Sequence, residues 1–302
     1  MKLYKYMINE RLDVLEGKRI RYSPVSALND PFEFAPYYDA HASTEQAMEV
    51  VDKNRTYIAV EGLTKIYNSR PDFQKVYTLT DFIDTFIKEH PNDVLELMAK
   101  VTPQALQEVD ANMPDARKRR IELLNENLGI LCLTENADNL LMWAHYTRDH
   151  TGFVIEFDAE HPYFADARNL PIGIGCLSKV EYTTKRPYSH YLSDIKEKEL
   201  YFVKSSEWDY EQEWRMLTLL SKAEHTPAHG IHLFNLPPQC ITAIILGCRA
   251  TEEFACEVAK ILKEKTELSH VELRKAKMQD RDYALDINAI PLPNCPPAPP
   301  GA

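Results

Sequence analysis

The sequence predicts an α+β protein in which a strand-rich core is interrupted by an all-helical block. Three observations predict it. Short segments of alternating character open the chain and return after Gly129. Between Ser43 and Asn127 the texture changes: Ala, Glu, Lys, Leu and Gln dominate, and apolar residues recur at helical spacing, as in Phe82, Ile83, Phe86 and Ile87. The closing stretch, PLPNCPPAPPGA, is too rich in proline for either kind of element. The expected organisation is a core of residues 1–42 and 128–290, a helical insertion at 43–127, and a disordered proline-rich tail at 291–302.

Each element follows from its local pattern. Leu3–Met7 alternates and reads as a short strand, Ile8–Leu15 as one or two helical turns ending near Gly17, and Ile20–Ser23 as a second strand closed by Pro24. Asn29-Asp30-Pro31 is a turn, because Asn and Asp bond back to their own backbone and proline fixes φ. Within the helical block the spacing repeats at Val94, Leu95, Leu97 and Met98. Strands are then expected at Ile130–Leu133, Phe153–Phe157, Cys176–Tyr182, Trp214–Leu219, Ile241–Leu246 and Val271–Arg274. Helices are expected at Asp138–Tyr146, Ser193–Val203 and Glu252–Glu264.

Composition excludes several function classes. The chain has 302 residues, 44% hydrophobic and 27% charged, an ordinary balance for a folded domain. The longest apolar stretches, such as Ile241–Leu246, fall far short of the ~18–20 residues that span a bilayer, so no membrane role is expected. The opening MKLYKYMINERLD carries charge where a signal peptide needs an apolar region. Six cysteines are scattered singly, which indicates neither a zinc ribbon nor a disulfide framework, and a cytoplasmic setting fits best. Nine glycines make neither a GxGxxG nor a P-loop motif, which sets aside Rossmann and Walker-type nucleotide sites. The net charge of −11 does not favour bulk affinity for polyphosphate; Arg117–Arg120 is the one dense basic run, either a solvated helix face or a phosphate contact. His225, His229 and His232 have a spacing that suits a metal, but Pro227 and Gly230 break any helix there, and no metal site is expected.

The three tryptophans fall in two polar-aromatic clusters, Leu140–Tyr146 and Lys204–Arg215. Tryptophan is by itself a core residue; gathered with His, Tyr, Lys and paired carboxylates it suggests a pocket for a flat polar ligand. If the second cluster is a strand, Glu211, Glu213 and Arg215 share one face. Either Glu213 and Arg215 form a structural pair with Glu211 solvated, or a carboxylate is presented to a ligand hydroxyl with its neighbour free for acid–base work. Trp143 and Tyr146 meet on one helical face, with His145 pointing elsewhere; His145 is either a satisfied structural histidine or a partner for the polar edge of a ring that Tyr146 stacks on.

Taken together, Leu3-Tyr4-Lys5-Tyr6, Ile20-Arg21-Tyr22-Ser23 with Asn29-Asp30-Pro31-Phe32-Glu33, Leu141–Tyr146 with Gly152-Phe153, and Tyr210–Arg215 resemble a widespread bacterial family known mainly as a domain of unknown function. That family in turn resembles the ADP-ribosyltransferases, whose core is a split, strand-rich fold. The resemblance implies NAD as substrate. It places Lys5 and Tyr6 at the first motif, with Arg21 or Ser23 as alternative ribose contacts, and makes Tyr146 the ring that sandwiches nicotinamide. Glu211-Gln212-Glu213 then supplies the E-x-E motif, with Glu213 on the ribose and Glu211 facing the acceptor. Tyr22, Asn29, Trp143 and Arg215 complete the expected NAD-binding set, and His145 the catalytic one. The implied function is ADP-ribosylation of a nucleic-acid or protein target by a toxin or antiphage effector, possible partner an antitoxin. Two other readings stand beside it: a metal-independent nuclease or hydrolase using Glu211, Glu213 and His145, and a non-catalytic ligand sensor or partner-binding module.

Overall fold

In the computed structural model, which describes residues 1–35, 37–38, 55–89, 118–166, 175–189, 201–228 and 230–293, the chain is α+β. The strands are β1 (Lys2–Met7), β2 (Arg19–Pro24), β3 (Tyr37–Tyr38), β4 (Leu128–Thr134), β5 (Phe153–Asp158), β6 (Ser178–Lys179), β7 (Glu181–Thr183) and β8 (Tyr188–Ser189). They continue with β9 (Val203–Ser205), β10 (Glu213–Leu219), β11 (His225–Ala228), β12 (Ile231–Asn235), β13 (Ile241–Leu246), β14 (Glu272–Met278) and β15 (Leu285–Ala289). The longer helices are Arg55–Ser69, Leu79–Glu89, residues 118–127, Leu140–Tyr146 and Glu252–Glu264.

Contacts divide the chain into two units, Met1–Ala35 with Ile121–Pro187 and Lys196–Ala302, and Pro36–Arg120 with Tyr188–Ile195. In the second, helices Arg55–Ser69 and Leu79–Glu89 gather around Phe82, whose ring packs against Tyr67 and Phe73, and β3 pairs with β8 in parallel.

The first unit holds an 11-stranded sheet of order β11-β12-β2-β4-β1-β5-β13-β14-β15, with β10 on β4 and β6 on β10. Neighbours run antiparallel except β13 and β14. A parallel pair needs a crossover, and helix Glu252–Glu264 supplies it. Thr251 caps that helix by accepting from the Phe254 amide at 3.2 Å. Its apolar side, Phe254, Val258, Ile261 and Leu262, joins Phe153, Ile155, Phe157, Ile244 and Leu246 in the main core. Val154 and Ile245 point to the opposite face and pack with Tyr6, Met142 and Trp143. Strands buried on both faces read as near-continuous apolar runs, and β5 and β13 are mostly apolar on both faces, with Glu156 and Thr242 as the interior exceptions.

One edge of β4 is where this sheet splits. Thr134 pairs with Glu213 and Tyr4 at once, and Ile130 with Leu217 and Ser23. So β10 takes one edge of β4 along its length, while β1 and β2 share the other and diverge between those positions. In the gap the Cys132 carbonyl accepts a hydrogen bond from Lys5 Nζ at 2.9 Å.

Several expectations need correcting. The expected strand Cys176–Tyr182 is two short strands, β6 and β7, interrupted at Val180. Val203, expected to end a helix, begins β9; residues 193–200 of that expected helix lie outside the described residues, as does the tail beyond 293. Strands β11, β12 and β15 were not anticipated. β11 is HTPA and exposed throughout, so it carries no apolar alternation to read. Cys256 forms a disulfide, which scattered single cysteines did not suggest, whereas Cys132, Cys176, Cys240 and Cys248 are free thiols.

Candidate functional site

Three chain segments deliver charge to the split. After β2, Asp30 Oδ1 accepts from the Phe32 amide at 2.8 Å and the Asp30 carbonyl from the Glu33 amide at 3.2 Å, the turn expected of Asn-Asp-Pro. Phe34 follows at φ 57 and Glu33 is buried. β9 brings in Lys204, also buried. The 3₁₀ helix Ser206–Glu211 then ends at Gln212, in the left-handed region at φ 42, and β10 starts at Glu213. Glu211 is therefore not on the strand with Glu213 and Arg215; a tight reversal separates them, and Glu211 is buried rather than solvated.

The side chains nevertheless converge. Lys204 Nζ donates to Glu211 Oε2 at 2.6 Å and Glu213 Oε2 at 3.0 Å, and lies 3.4 Å from Glu33 Oε1. Arg215 Nε donates to Glu213 Oε1 at 2.6 Å and its Nη2 to Glu213 Oε2 at 3.0 Å; Nη2 also bonds Glu33. Arg215 Nη1 reaches the Tyr201 carbonyl at 3.0 Å. Tyr146 Oη donates to Glu211 Oε1 at 2.5 Å and accepts from Asn29 Nδ2 at 3.1 Å. Trp208 places its ring 4.9 Å from Lys204 Nζ.

Burial and charge push these groups apart in acidity. Burial works against the charge of Glu213, but Arg215 and Lys204 outweigh it and hold the carboxyl well below the usual carboxylate range. Glu33 moves the other way: burial pushes it up against the pull of Arg215, and the Glu213 charge adds to the rise. Burial alone would discharge Lys204, yet Glu213, Glu33 and Glu211 around it hold it above the ordinary lysine value. Burial, and then the neighbouring charge of Glu211, push the Tyr146 phenol up, so it stays a donor.

A cavity of 140 Å³ opens at the split. Of the residues expected at the site, Lys5, Tyr6, Ser23, Asn29, Tyr146, Glu211 and Glu213 line it. Arg21 lines an adjoining cleft of 200 Å³ that shares Lys5, Tyr6, Ser23 and Tyr146 with the cavity and adds Arg11. Strand alternation explains the neighbours: Arg21 and Ser23 lie on one face of β2, Ile20 and Tyr22 on the other. Tyr22 is accordingly a core residue, its ring 4.6 Å from Phe234 and its hydroxyl 3.3 Å from that of Tyr163.

Three further expectations are corrected by position. Trp143 is fully buried, donates Nε1 to the Ala137 carbonyl at 2.8 Å and meets Tyr6 edge-on at 5.3 Å, so it supports the cavity wall instead of lining it. His145 is exposed, one helical step round from the inward-facing Tyr146, and does not line the cavity. Arg215 acts behind Glu213 and Glu33. Glu33 and Lys204 line the cavity and were not expected to. Both stood inside quoted motifs, but nothing in the spacing said that residues 33 and 204 would meet.

Gly152 explains how the helix Leu140–Tyr146 is held over β1. Its amide bonds the Thr147 carbonyl at 2.8 Å, and a Cβ there would lie 2.2 Å from the Met7 carbonyl oxygen. Of the basic run, Lys118–Arg120 begin helix 118–127 and Arg117 lies outside the described residues. Of the histidine trio, His225 lies on β11 and His232 on β12, and His229 is outside the described residues. Among the described residues no group of His, Cys, Asp and Glu is arranged to hold a metal ion, and no helix is long and apolar enough to cross a membrane.

Residues 142–216 match the family described as Protein of unknown function (DUF2971). That segment carries Tyr146, Lys204, Glu211, Glu213 and Arg215; Lys5, Ser23, Asn29 and Glu33 come from outside it. No curated protein and no solved structure matches the chain.

Proposed function

We propose that the cavity binds the nicotinamide riboside end of NAD and that the protein is an ADP-ribosyltransferase. The observation that carries this reading is the pairing of half-buried Tyr146 with buried Glu211 at a cavity at the split between β1 and β2. An aromatic ring and a fixed carboxylate at one opening are what glycosidic cleavage at a nicotinamide needs. The adjoining cleft supports the reading through its Arg11, Arg21 and Lys5 charges, which suit the pyrophosphate. Arg21 Nε is buried without a hydrogen-bond partner among the described residues, a donor left for a ligand.

Geometry favours Glu211 over Glu213 as the working carboxylate, the reverse of the assignment drawn from the E-x-E resemblance. An ionised carboxylate accepts about four hydrogen bonds. Glu213 already accepts two from Arg215 and one from Lys204. Among the described residues Glu211 accepts side-chain donors only from Tyr146 and Lys204, which leaves room for a ribose hydroxyl. In the reaction the ribose C1′–N bond breaks and its electron pair leaves with nicotinamide. Glu211 stabilises the positive charge on the sugar, and the acceptor's lone pair forms the new bond as its proton passes to the carboxylate or water. In this reading the chain is a toxin or antiphage effector, for which an antitoxin is a partner.

A second reading, a ligand sensor, is favoured by one observation: the carboxylates of Glu33, Glu211 and Glu213 are already ion-paired. Incubation with NAD separates the two. Transfer predicts nicotinamide release that falls roughly 10²–10³-fold in Glu211→Gln, the usual cost of one lost preorganised electrostatic contact. Saturable NAD binding without nicotinamide release supports the sensor instead.

A further inference from the structure

Glu33 and Lys204 form a wall with two sides. Away from the cavity they border a second cleft, of 190 Å³, to which Asp30, Phe32, Lys185, Arg186 and Ser205 also contribute. Asp30 is 5% exposed; one of its oxygens serves the Phe32 amide, while Oδ2 is shielded from solvent and accepts nothing among the described residues. A buried carboxylate oxygen without a donor is costly, and a ligand N–H relieves that cost. Beside it Phe32 is 59% exposed, unusual for a phenylalanine, with the Arg186 guanidinium 5.3 Å from its ring centroid. Arg186 is steadied by a bond from Nε to the Ala35 carbonyl at 3.1 Å.

We propose that this cleft binds a nucleobase with an N–H-rich edge, that of guanine, and so seats a single-stranded nucleic-acid acceptor beside the cavity. Asp30 accepts from the ring N–H and the exocyclic amine, as a carboxylate does with paired donors. Phe32 offers a stacking face, the sequence-tolerant part of single-strand binding. Lys185 and Arg186, both exposed, supply local positive charge for the flanking phosphates on a chain whose net charge is −11. The Glu33–Lys204 wall sets the base one side-chain pair from the cavity, so a neighbouring nucleotide, rather than the captured base, meets the ribose. That last step rests on the ADP-ribosyltransferase reading; the base-binding cleft does not.

The test is binding of short fluorescent RNA oligomers, guanine-containing and adenine-only, without NAD. Guanine-containing oligomers are expected to bind at least tenfold tighter than adenine-only ones, with the preference abolished in Asp30→Asn and overall affinity lowered about tenfold in Phe32→Ala. Phe32 is exposed, so that variant folds even if the Asp30 change perturbs the turn. No oligomer binding, or binding indifferent to both substitutions, overturns the proposal. So does an arginine-containing peptide that binds in place of RNA and is lost in Asp30→Asn. Guanine-dependent binding in a protein that releases no nicotinamide from NAD keeps this cleft and removes the transferase reading.

Discussion

Along its edge with β5, strand β1 pairs at six positions from Lys2↔Asp158 to Met7↔Phe153, whereas along its edge with β4 it pairs at Tyr4↔Thr134 alone. The first edge leads into the apolar core, where Phe153, Ile155 and Phe157 are fully buried. The second opens onto the cavity, where Glu33, Lys204, Glu211, Glu213 and Arg215 are buried with their charges. Burying apolar area stabilises without direction, while buried ions cost desolvation that their mutual attraction offsets only in a good geometry. One strand thus separates a region of apolar packing from one of buried, paired charges.

The comparison breaks most visibly at Arg215. Arg215→Met leaves Glu213 and Glu33 buried without their guanidinium and is expected to cost about 3–5 kcal/mol in urea unfolding. Replacing Glu33, Glu213 and Arg215 together by apolar residues of similar volume is expected to recover most of that loss. If the triple variant is as unstable as the single one, the cluster is a stabilising device after all.

Glu213→Gln comes next, at about 1.5–3 kcal/mol at pH 7, because hydrogen bonds to a charged group are lost but the shape stays. The sign with pH follows from the depressed acidity constant of Glu213 in the fold. Its stabilisation is fully present above the unfolded glutamate value of about 4.3 and is lost as pH falls through the lower folded value. The gap between wild type and variant should narrow on acidification below about pH 4.3. Glu33 carries the opposite sign, since its value is raised in the fold. Glu33→Gln should therefore gain on wild type as pH rises through the same point. Equal pH profiles for the two variants would contradict the cluster's electrostatics.

Much of the fold was legible, and the reasons are local. β5 and β13 are mostly apolar, broken by Glu156 and Asp158 in the first and Thr242 in the second, and Glu252–Glu264 has a Thr cap with a helical apolar stripe. Of the site, Lys5, Ser23, Asn29, Tyr146, Glu211 and Glu213 were legible as polar or aromatic residues in motifs. Lys204 and Glu33 were not: they meet across a long stretch of chain that no local pattern records, and Lys204 reaches Glu211 and Glu213 only because the 3₁₀ helix Ser206–Glu211 folds them back onto β9. Tyr22, Trp143 and His145 misled for a related reason. Residue type suggested a ligand contact, but strand alternation and helix phase turn the first two into the core and the third into solvent.

Two smaller effects sharpen the picture. Tyr146→Phe removes the donor to Glu211 and is expected to cost about 1.5 kcal/mol, the low end for a charged acceptor, since Lys204 still serves Glu211. NAD affinity should fall less than catalysis, because the ring remains. His145→Ala is expected to change stability by no more than about 0.5 kcal/mol and nicotinamide release not at all, as an exposed side chain away from the cavity should. A large loss of activity there would return His145 to the reaction.

The most direct measurement is nicotinamide release from NAD by wild type, Glu211→Gln and Glu213→Gln, each normalised to folded protein by its unfolding curve. Glu211→Gln is predicted to abolish most release per folded molecule, and Glu213→Gln to keep more activity per folded molecule, although both variants lose stability because each removes a charge that buried Lys204 is paired with. Wild-type protein that binds NAD without releasing nicotinamide, or equal activity in all three, would contradict the account.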